Sequence, residues 1–168
     1  MSDSSQHHGR DVASVRCAAI TISDTRTEHN DRGGQLLWEL VTAAGHTVAH
    51  REIVKDEPTV IRSLVRRLCC DPCIDACLLT GGTGISARDQ TCETISAMLT
   101  KPLPGYGELF RMLSYEEIGA AAMLSRAVGG VVDRTIVLTM PGSPAAVRLA
   151  MERLVLPQLG HLMHEVTK

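Results

Sequence analysis

Thr80-Gly81-Gly82-Thr83-Gly84, with Asp89 five residues beyond the last glycine, is the stretch of this chain best suited to chemistry. It follows the short apolar run Cys77-Leu78-Leu79, which reads as the end of a buried strand. Glycines so closely spaced let the backbone take left-handed angles and let a ligand approach bare N–H groups. Such a turn sits at the carboxyl edge of an α/β sheet, where these sheets bind ligands. Its amides, together with the positive end of the following helix, suit an anion. The nucleotide P-loop is excluded because no lysine and Ser/Thr follow the last glycine, and the dinucleotide fingerprint because the glycine spacing differs. Taken alone, the stretch also fits a tight strand-to-helix turn with no ligand.

A second turn in the same strand-to-helix position is Met140-Pro141-Gly142-Ser143-Pro144, after the apolar run Ile136-Val137-Leu138. Ser23, Asp24, Asp56, Glu108, Ser125 and Arg126 are the further polar candidates for that edge of the sheet. Each has an ordinary structural reading. Asp56 and Asp89 would serve as helix caps, Glu108 and Arg126 as solvated charges, and the serines as turn residues. Gathered on one edge, the two carboxylates beside anion-cradling amides suit a magnesium–nucleotide site. Mg²⁺ takes carboxylate and phosphate oxygens together and bridges them. No Gly-x-Ser-x-Gly nucleophile motif and no His pair at metal spacing offers another chemistry.

The elements that must position these residues alternate along the chain. Strands are expected at 15–23, 47–54, 75–80, 127–132 and 135–140, and helices at 33–44, 56–68, from Asp89 to about Leu99, 105–118, 120–126 and from Pro144 onward. Asp56 would cap the second helix and Ser143 the last, which Pro157 would kink or split. The strands are continuous apolar runs, not in-and-out alternations, so the fold class is α/β with a mostly parallel sheet covered on both faces. At 168 residues and 44% hydrophobic, the chain is one domain with a real core, built from aliphatic residues because aromatics are only 2%. We place a loose polar tail at 1–14 and a single domain at 15–168. A net charge of −2 draws neither nucleic acid nor an anionic membrane. No apolar run approaches a membrane span, and the polar start lacks a secretory core, which points to the cytoplasm.

The combination of pieces resembles the molybdopterin-binding family of MoaB, MogA and the G domain of gephyrin. The matching stretches are Ile22-Ser23-Asp24, Thr80-Gly81-Gly82-Thr83-Gly84 with Asp89, Pro104-Gly105-Tyr106-Gly107-Glu108, Leu124-Ser125-Arg126 and Met140-Pro141-Gly142-Ser143-Pro144, in family order. Phe110 to Gly119, followed by Ser125-Arg126-Ala127-Val128, is similar to the MoaB branch. The resemblance implies a three-layer α/β/α sandwich assembled as a homotrimer or homohexamer, with a role in molybdenum cofactor biosynthesis. It implies transfer of AMP from Mg-ATP, as co-substrate, to molybdopterin, as substrate, with release of pyrophosphate. The product would pass to the molybdenum-insertion protein. The family's two functional aspartates correspond to Asp56 and Asp89, either of which would hold Mg²⁺. Ser23, Asp24, Thr80 to Gly84, Glu108, Ser125, Arg126, Pro141, Gly142 and Ser143 would bind nucleotide or pterin. The rival readings are a molybdopterin-binding carrier without catalysis and a trimeric scaffold for partner proteins.

Six cysteines occur, with Cys69, Cys70, Cys73 and Cys77 crowded into one stretch and Cys17 and Cys92 elsewhere. Cys70-Asp71-Pro72-Cys73 has the two-residue gap of zinc and redox motifs, but no second Cys/His pair stands at a suitable distance, and Cys77 falls within a strand. They read as reduced, mostly packed thiols. Replacing Cys70 and Cys73 together by serine is therefore expected to leave metal content and oligomer state unchanged. Elemental analysis showing stoichiometric zinc in the parent and none in the double variant would overturn that reading.

Overall fold

The computed structural model describes residues 12–168. Of the expected tail, residues 1–11 lie outside the described residues. Val12 donates its N–H to Gly160 O at 3.2 Å and packs against the core.

Among the described residues, six strands and six α-helices follow in the order β1 (Arg16–Ile22), α1 (Arg32–Ala43), β2 (Thr47–Val54), α2 (Pro58–Cys69), β3 (Ala76–Thr80), α3 (Thr91–Ser96), β4 (Lys101–Pro102), α4 (Pro104–Ile118), β5 (Gly129–Val132), β6 (Thr135–Met140), α5 (Pro144–Ala150) and α6 (Leu156–Thr167). A 3₁₀ turn, Gly119–Leu124, follows α4. The strands form one sheet in the order β2-β1-β3-β6-β5-β4. β2, β1, β3 and β6 run parallel, while β5 and β4 are antiparallel additions at one edge. The architecture is the expected mixed α/β fold with a mostly parallel sheet.

Burial on both sides explains the continuous apolar strands. Cys17, Ala19, Ala76, Leu78, Ile136, Leu138 and Met140 point to one face, where Leu37 and Val41 of α1, Phe110 of α4, Val147 of α5 and Leu159 of α6 cover them. Ala18, Ile20, Ile22, Cys77, Leu79 and Val137 point to the other, under Ile61, Leu64, Val65 and Leu68 of α2 and Ile95 of α3. A strand packed on both faces has no polar side to alternate with.

Several local expectations give way to tertiary context. Ala44 falls just past α1 as its exposed C-cap, and Val60 of α2 is 40% exposed, so the apolar spacing of both stretches overstates what they bury. Tyr115 is 65% exposed; the inward tyrosine of α4 is Tyr106, whose hydroxyl donates to Thr139 O at 3.0 Å. The last helix does not split at Pro157. A π segment, Met151–Val155, joins α5 to α6, and its wider turn, with Leu156 N–H bonding Met151 O, accommodates a proline that lacks an N–H.

Phe110 is 0% exposed and joins α4 to the sheet. Phe110→Ala is expected to cost about 3–5 kcal/mol of stability, read from the urea unfolding midpoint. A loss under about 1 kcal/mol would mean that α4 is not anchored by this ring.

Candidate functional site

Parallel pairing brings the ends of three strands together. Thr21 of β1, Thr80 of β3 and Met140 of β6 lie side by side in register, so the turns after these strands share one edge of the sheet. Backbone hydrogen bonds stitch the turns to one another: Ser23 N–H donates to Val54 O at 2.8 Å and Gly81 N–H to Met140 O at 3.0 Å. Thr80 Oγ1 donates to Pro141 O at 3.1 Å.

Glycine is required in this crowding. Gly81 and Gly82 have φ of +99° and +62°, where other residues are strained. A Cβ on Gly81 would strike Ile22 O, and one on Gly82 would strike Asp56 Oδ2 and Thr91 Oγ1. Gly142 faces Gly81 so closely that its Cβ would lie 3.3 Å from Gly81 Cα. Between the turns opens a cavity of about 570 Å³, lined by Thr21, Ser23, Arg26, Asp31, Thr80, Gly81, Gly82, Thr83, Gly84, Asp89, Leu124, Pro141, Gly142 and Ser143, among others. The N–H groups of Gly82, Thr83 and Gly84 make no hydrogen bond to any described residue.

Neither aspartate caps a helix. The N-cap of α2 is Glu57 and that of α3 is Gln90, and neither makes a side-chain cap bond. Asp56 turns instead toward the glycine turn and is only 5% exposed. Its Oδ1 accepts from Gln90 N–H at 3.2 Å, and its own N–H donates to Asp24 Oδ1 at 3.3 Å. Burial pushes the Asp56 carboxyl above its ordinary range. The Gln90 N–H opposes this, and the charges of Asp89 and Asp24 add to it. Asp89 lies against Gly84 and lines the cavity. Its Oδ2 accepts from Ser86 N–H at 3.2 Å and from the Ser86 hydroxyl, and a Cβ on Gly84 would come within 2.6 Å of it.

The other expected residues divide. Ser23 folds its own turn, with Oγ accepting from Thr25 N–H at 3.2 Å and Arg26 N–H at 3.1 Å. Asp24 is engaged by Arg88, whose Nε and Nη2 lie 2.6 and 3.0 Å from its carboxylate and hold that carboxyl below its usual range. Ser143 caps α5 by accepting from Ala146 N–H at 3.2 Å. Ser125 lines a neighbouring groove that shares Pro141 and Ser143 with the cavity. Glu108 is exposed on α4 beside Arg111 in a separate groove of about 220 Å³. Arg126 directs its Nε to Thr83 O at 2.8 Å and Nη2 to Gly84 O at 2.7 Å, and pairs with Glu93.

Residues that sequence reasoning passed over complete the site. Asp31, 4% exposed, accepts from Thr21 Oγ1 at 2.6 Å and caps α1 by accepting from Gly34 N–H at 2.9 Å. Its position before the helix was a readable cap signal. Arg88 bridges Asp24 and Glu57, the latter at 2.8 Å, and no local pattern announces a partner 64 residues away. Thr91 donates its N–H to Gly82 O at 3.0 Å, while its buried hydroxyl has no partner.

The arrangement can hold an anion on free amides between two carboxylates. No group of three or more His, Cys, Asp or Glu residues gathers as a metal centre among the described residues. Mg²⁺ does not require one, since it binds through one or two carboxylates and completes its shell with phosphate and water. Asp56 Oδ2 and Asp89 Oδ1 take no hydrogen bond from a described residue, so each carboxylate keeps one oxygen for an ion, and of the two Asp89 lines the cavity. The six thiols are free, with Cys17, Cys77 and Cys92 buried and Cys70 and Cys73 exposed. No described helix is long and apolar enough to cross a membrane.

Residues 18–161 match the family described as "Probable molybdopterin binding domain". Molybdenum cofactor biosynthesis protein B of Bacillus anthracis is 52% identical over 162 residues, covering 96% of each chain. A crystal structure of molybdenum cofactor biosynthesis protein B superposes with a TM-score of 0.90 at 54% identity, over 92% of this chain and 96% of that one. The tungsten cofactor synthesizing protein MoaB of Pyrococcus furiosus superposes with a TM-score of 0.83 at 32% identity, over 92% of this chain and 98% of that one.

The raised pKa of Asp56 has a stability consequence. The fold favours its protonated form, so its contribution is present below the ordinary aspartate pKa of about 3.9 and is lost as pH rises through the higher folded value. Asn keeps the acceptor for Gln90 N–H without the charge. Asp56→Asn is therefore expected to melt above the parent at about pH 7, with the gap closing by about pH 3. A difference between the two melting curves that does not vary with pH would show an unperturbed carboxyl.

Proposed function

The chain belongs to the molybdopterin-binding family of MoaB and MogA and serves molybdenum cofactor biosynthesis, and on that premise we propose that it transfers AMP from Mg-ATP to molybdopterin. A terminal phosphate oxygen of molybdopterin attacks the α-phosphorus of ATP. The new bond is P–O–P. The bond from the α-phosphorus to its bridging oxygen breaks, and its electron pair leaves on pyrophosphate. The nucleophile belongs to the substrate, so the protein's task is to align two anions and offset their repulsion.

The observation that carries this reading is the buried Asp56 carboxylate, set with Asp89 against a glycine turn whose amides are free. In the proposed reaction the amides of Gly82, Thr83 and Gly84 bind phosphate oxygens at positions a side chain would block. Asp89 Oδ1, on the cavity wall, or Asp56 Oδ2 would hold Mg²⁺, which would supply charge neutralisation between the phosphates. Asp56 is buried, and its raised pKa suits it to orient the attacking oxygen or receive its proton. Thr21, Asp31, Ser23 and Ser143 line the rest of the cavity and offer polar contacts to nucleotide or pterin. Asp56 is buried without capping a helix, with one oxygen taking the Gln90 N–H and the other left without a described partner.

The same reading makes the protein a homo-oligomer, a trimer or a hexamer. Met112, Tyr115, Ile118, Met123 and Leu124 on α4 and the 3₁₀ turn are each more than half exposed, an apolar surface that suits a second copy. Leu124 also lines the cavity, so such a contact would adjoin the site.

Purified protein incubated with molybdopterin and Mg-ATP is expected to yield adenylylated molybdopterin and pyrophosphate. Asp56→Asn, although folded, is expected to keep molybdopterin binding and to lose AMP transfer by about a hundredfold or more. Asp89→Asn should behave alike. If the parent binds molybdopterin but forms no AMP adduct, a non-catalytic carrier is the correct reading.

A further inference from the structure

We propose that Arg126, locked by Glu93, is a positioning residue that aims the amide N–H groups of Gly84 and Ile85 at the bound phosphate without touching it. The inference rests on the reading of the glycine turn as a phosphate cradle.

Its geometric basis is that every guanidinium nitrogen is engaged, through four of the five N–H donors. Nε donates to Thr83 O at 2.8 Å and Nη2 to Gly84 O at 2.7 Å. Nη1 pairs with Glu93 Oε1, and Nη2 also reaches Glu93 Oε2 at 3.2 Å. Each of its nitrogens is therefore already donating to turn or carboxylate. Arg126 does not line the cavity, whereas Thr83 and Gly84 do. An arginine placed to bind a phosphate would point its fork into the cavity; this one spends it on the carbonyls of Thr83 and Gly84 and on Glu93.

The trans peptide converts that grip into direction. In a planar trans unit the C=O and N–H point opposite ways. Holding Thr83 O toward Arg126 turns the Gly84 N–H away from it, and holding Gly84 O does the same for the Ile85 N–H. Neither N–H bonds a described residue. Gly84 has no side chain to fix its own torsions, so without the two carbonyl anchors these peptide planes would rotate freely. Glu93, on α3, fixes the guanidinium in a bidentate geometry that lysine cannot reproduce.

The test compares Arg126→Lys and Glu93→Gln in the full-length protein, with inorganic pyrophosphate and Mg-ATP as probes. Affinity is read by calorimetry and the Gly84 and Ile85 amides by nitrogen–proton NMR. In the parent both amides are expected to shift on adding pyrophosphate. Both variants are expected to bind either probe about tenfold or more weakly, with the two amides already displaced before ligand is added. A direct anion contact by Arg126 predicts the opposite for Glu93→Gln. Removing the competing carboxylate would then leave affinity unchanged or raise it, and that result overturns the proposal. Should Arg126→Lys fail to fold, Glu93→Gln decides alone, since its carboxylate is half-exposed. A parent that binds pyrophosphate through these amides but transfers no AMP sinks the enzyme reading and leaves this inference standing. A parent that transfers AMP while both amides stay unmoved by pyrophosphate does the reverse.

Discussion

The absence of a side chain at Gly82 is the constraint on which the site depends. Its backbone stands at φ +62°, and the volume a Cβ would need is filled by Asp56 Oδ2 and Thr91 Oγ1. Any other residue there would expel the aspartate from behind the turn, and with it the bond to Gln90 N–H that fixes the start of α3. Gly81 carries a similar restriction against Ile22 O, so the turn after β3 is pressed onto the end of β1 on one side and the turn after β6 on the other. The three strand ends are thus mutually locked, and the carboxylates inherit their positions from backbone packing more than from side-chain bonds.

Such a site is costly to the fold. A buried aspartate with a single backbone donor and two acidic neighbours opposes its own ionisation, and a buried hydroxyl without a partner at Thr91 adds to the cost. The sheet tolerates it because stability is concentrated below the edge. β1, β3 and β6 are buried on both faces, and the helices α1, α4, α5 and α6 on one side and α2 and α3 on the other close over them. Strain at a functional edge, offset by a well-packed interior, is the usual division of labour in proteins that bind ligands at strand ends.

Sequence carried the fold well and the site only partly, for one physical reason. Buried strands announce themselves locally, because both faces must be apolar; β6 falls where its residues place it, over Thr135–Met140, with all six residues buried. Turns announce themselves through glycine, and Ser143 and Pro144 start α5 as their types require. Contacts between distant segments leave no local trace. Asp56 and Asp89 carry good cap chemistry and cap no helix: Gln90 N–H, 34 residues away, claims Asp56, while Ser86, three residues away, claims Asp89. The Arg88–Asp24 pair spans 64 residues, and Glu108 falls in a different groove from the turns although its neighbourhood has the right sequence pattern. Tyr115 and Tyr106 share α4, and only packing against β6 decides which of them turns inward.

The shortest regular helix of the chain has a disproportionate hold on that edge. α3 has only six residues, too few for stability on its own. Gln90, just before it, binds Asp56, its first residue Thr91 ties down Gly82 O, and its Glu93 restrains Arg126, which in turn grips Thr83 O and Gly84 O. The turn and its aspartate are therefore fastened to one small body. That body must be rigid to be of use, and it obtains rigidity from the burial of Cys92, Thr94 and Ile95, the last packed in the core under α2. A long helix could not fit between the glycine turn and β4, where the chain reverses within a few residues of Ser96. The brevity of α3 and the burial of four of its six residues suit the same requirement: a bracket at the sheet edge, held from below by the core, with Thr91 N–H and Glu93 committed to the turn and to Arg126.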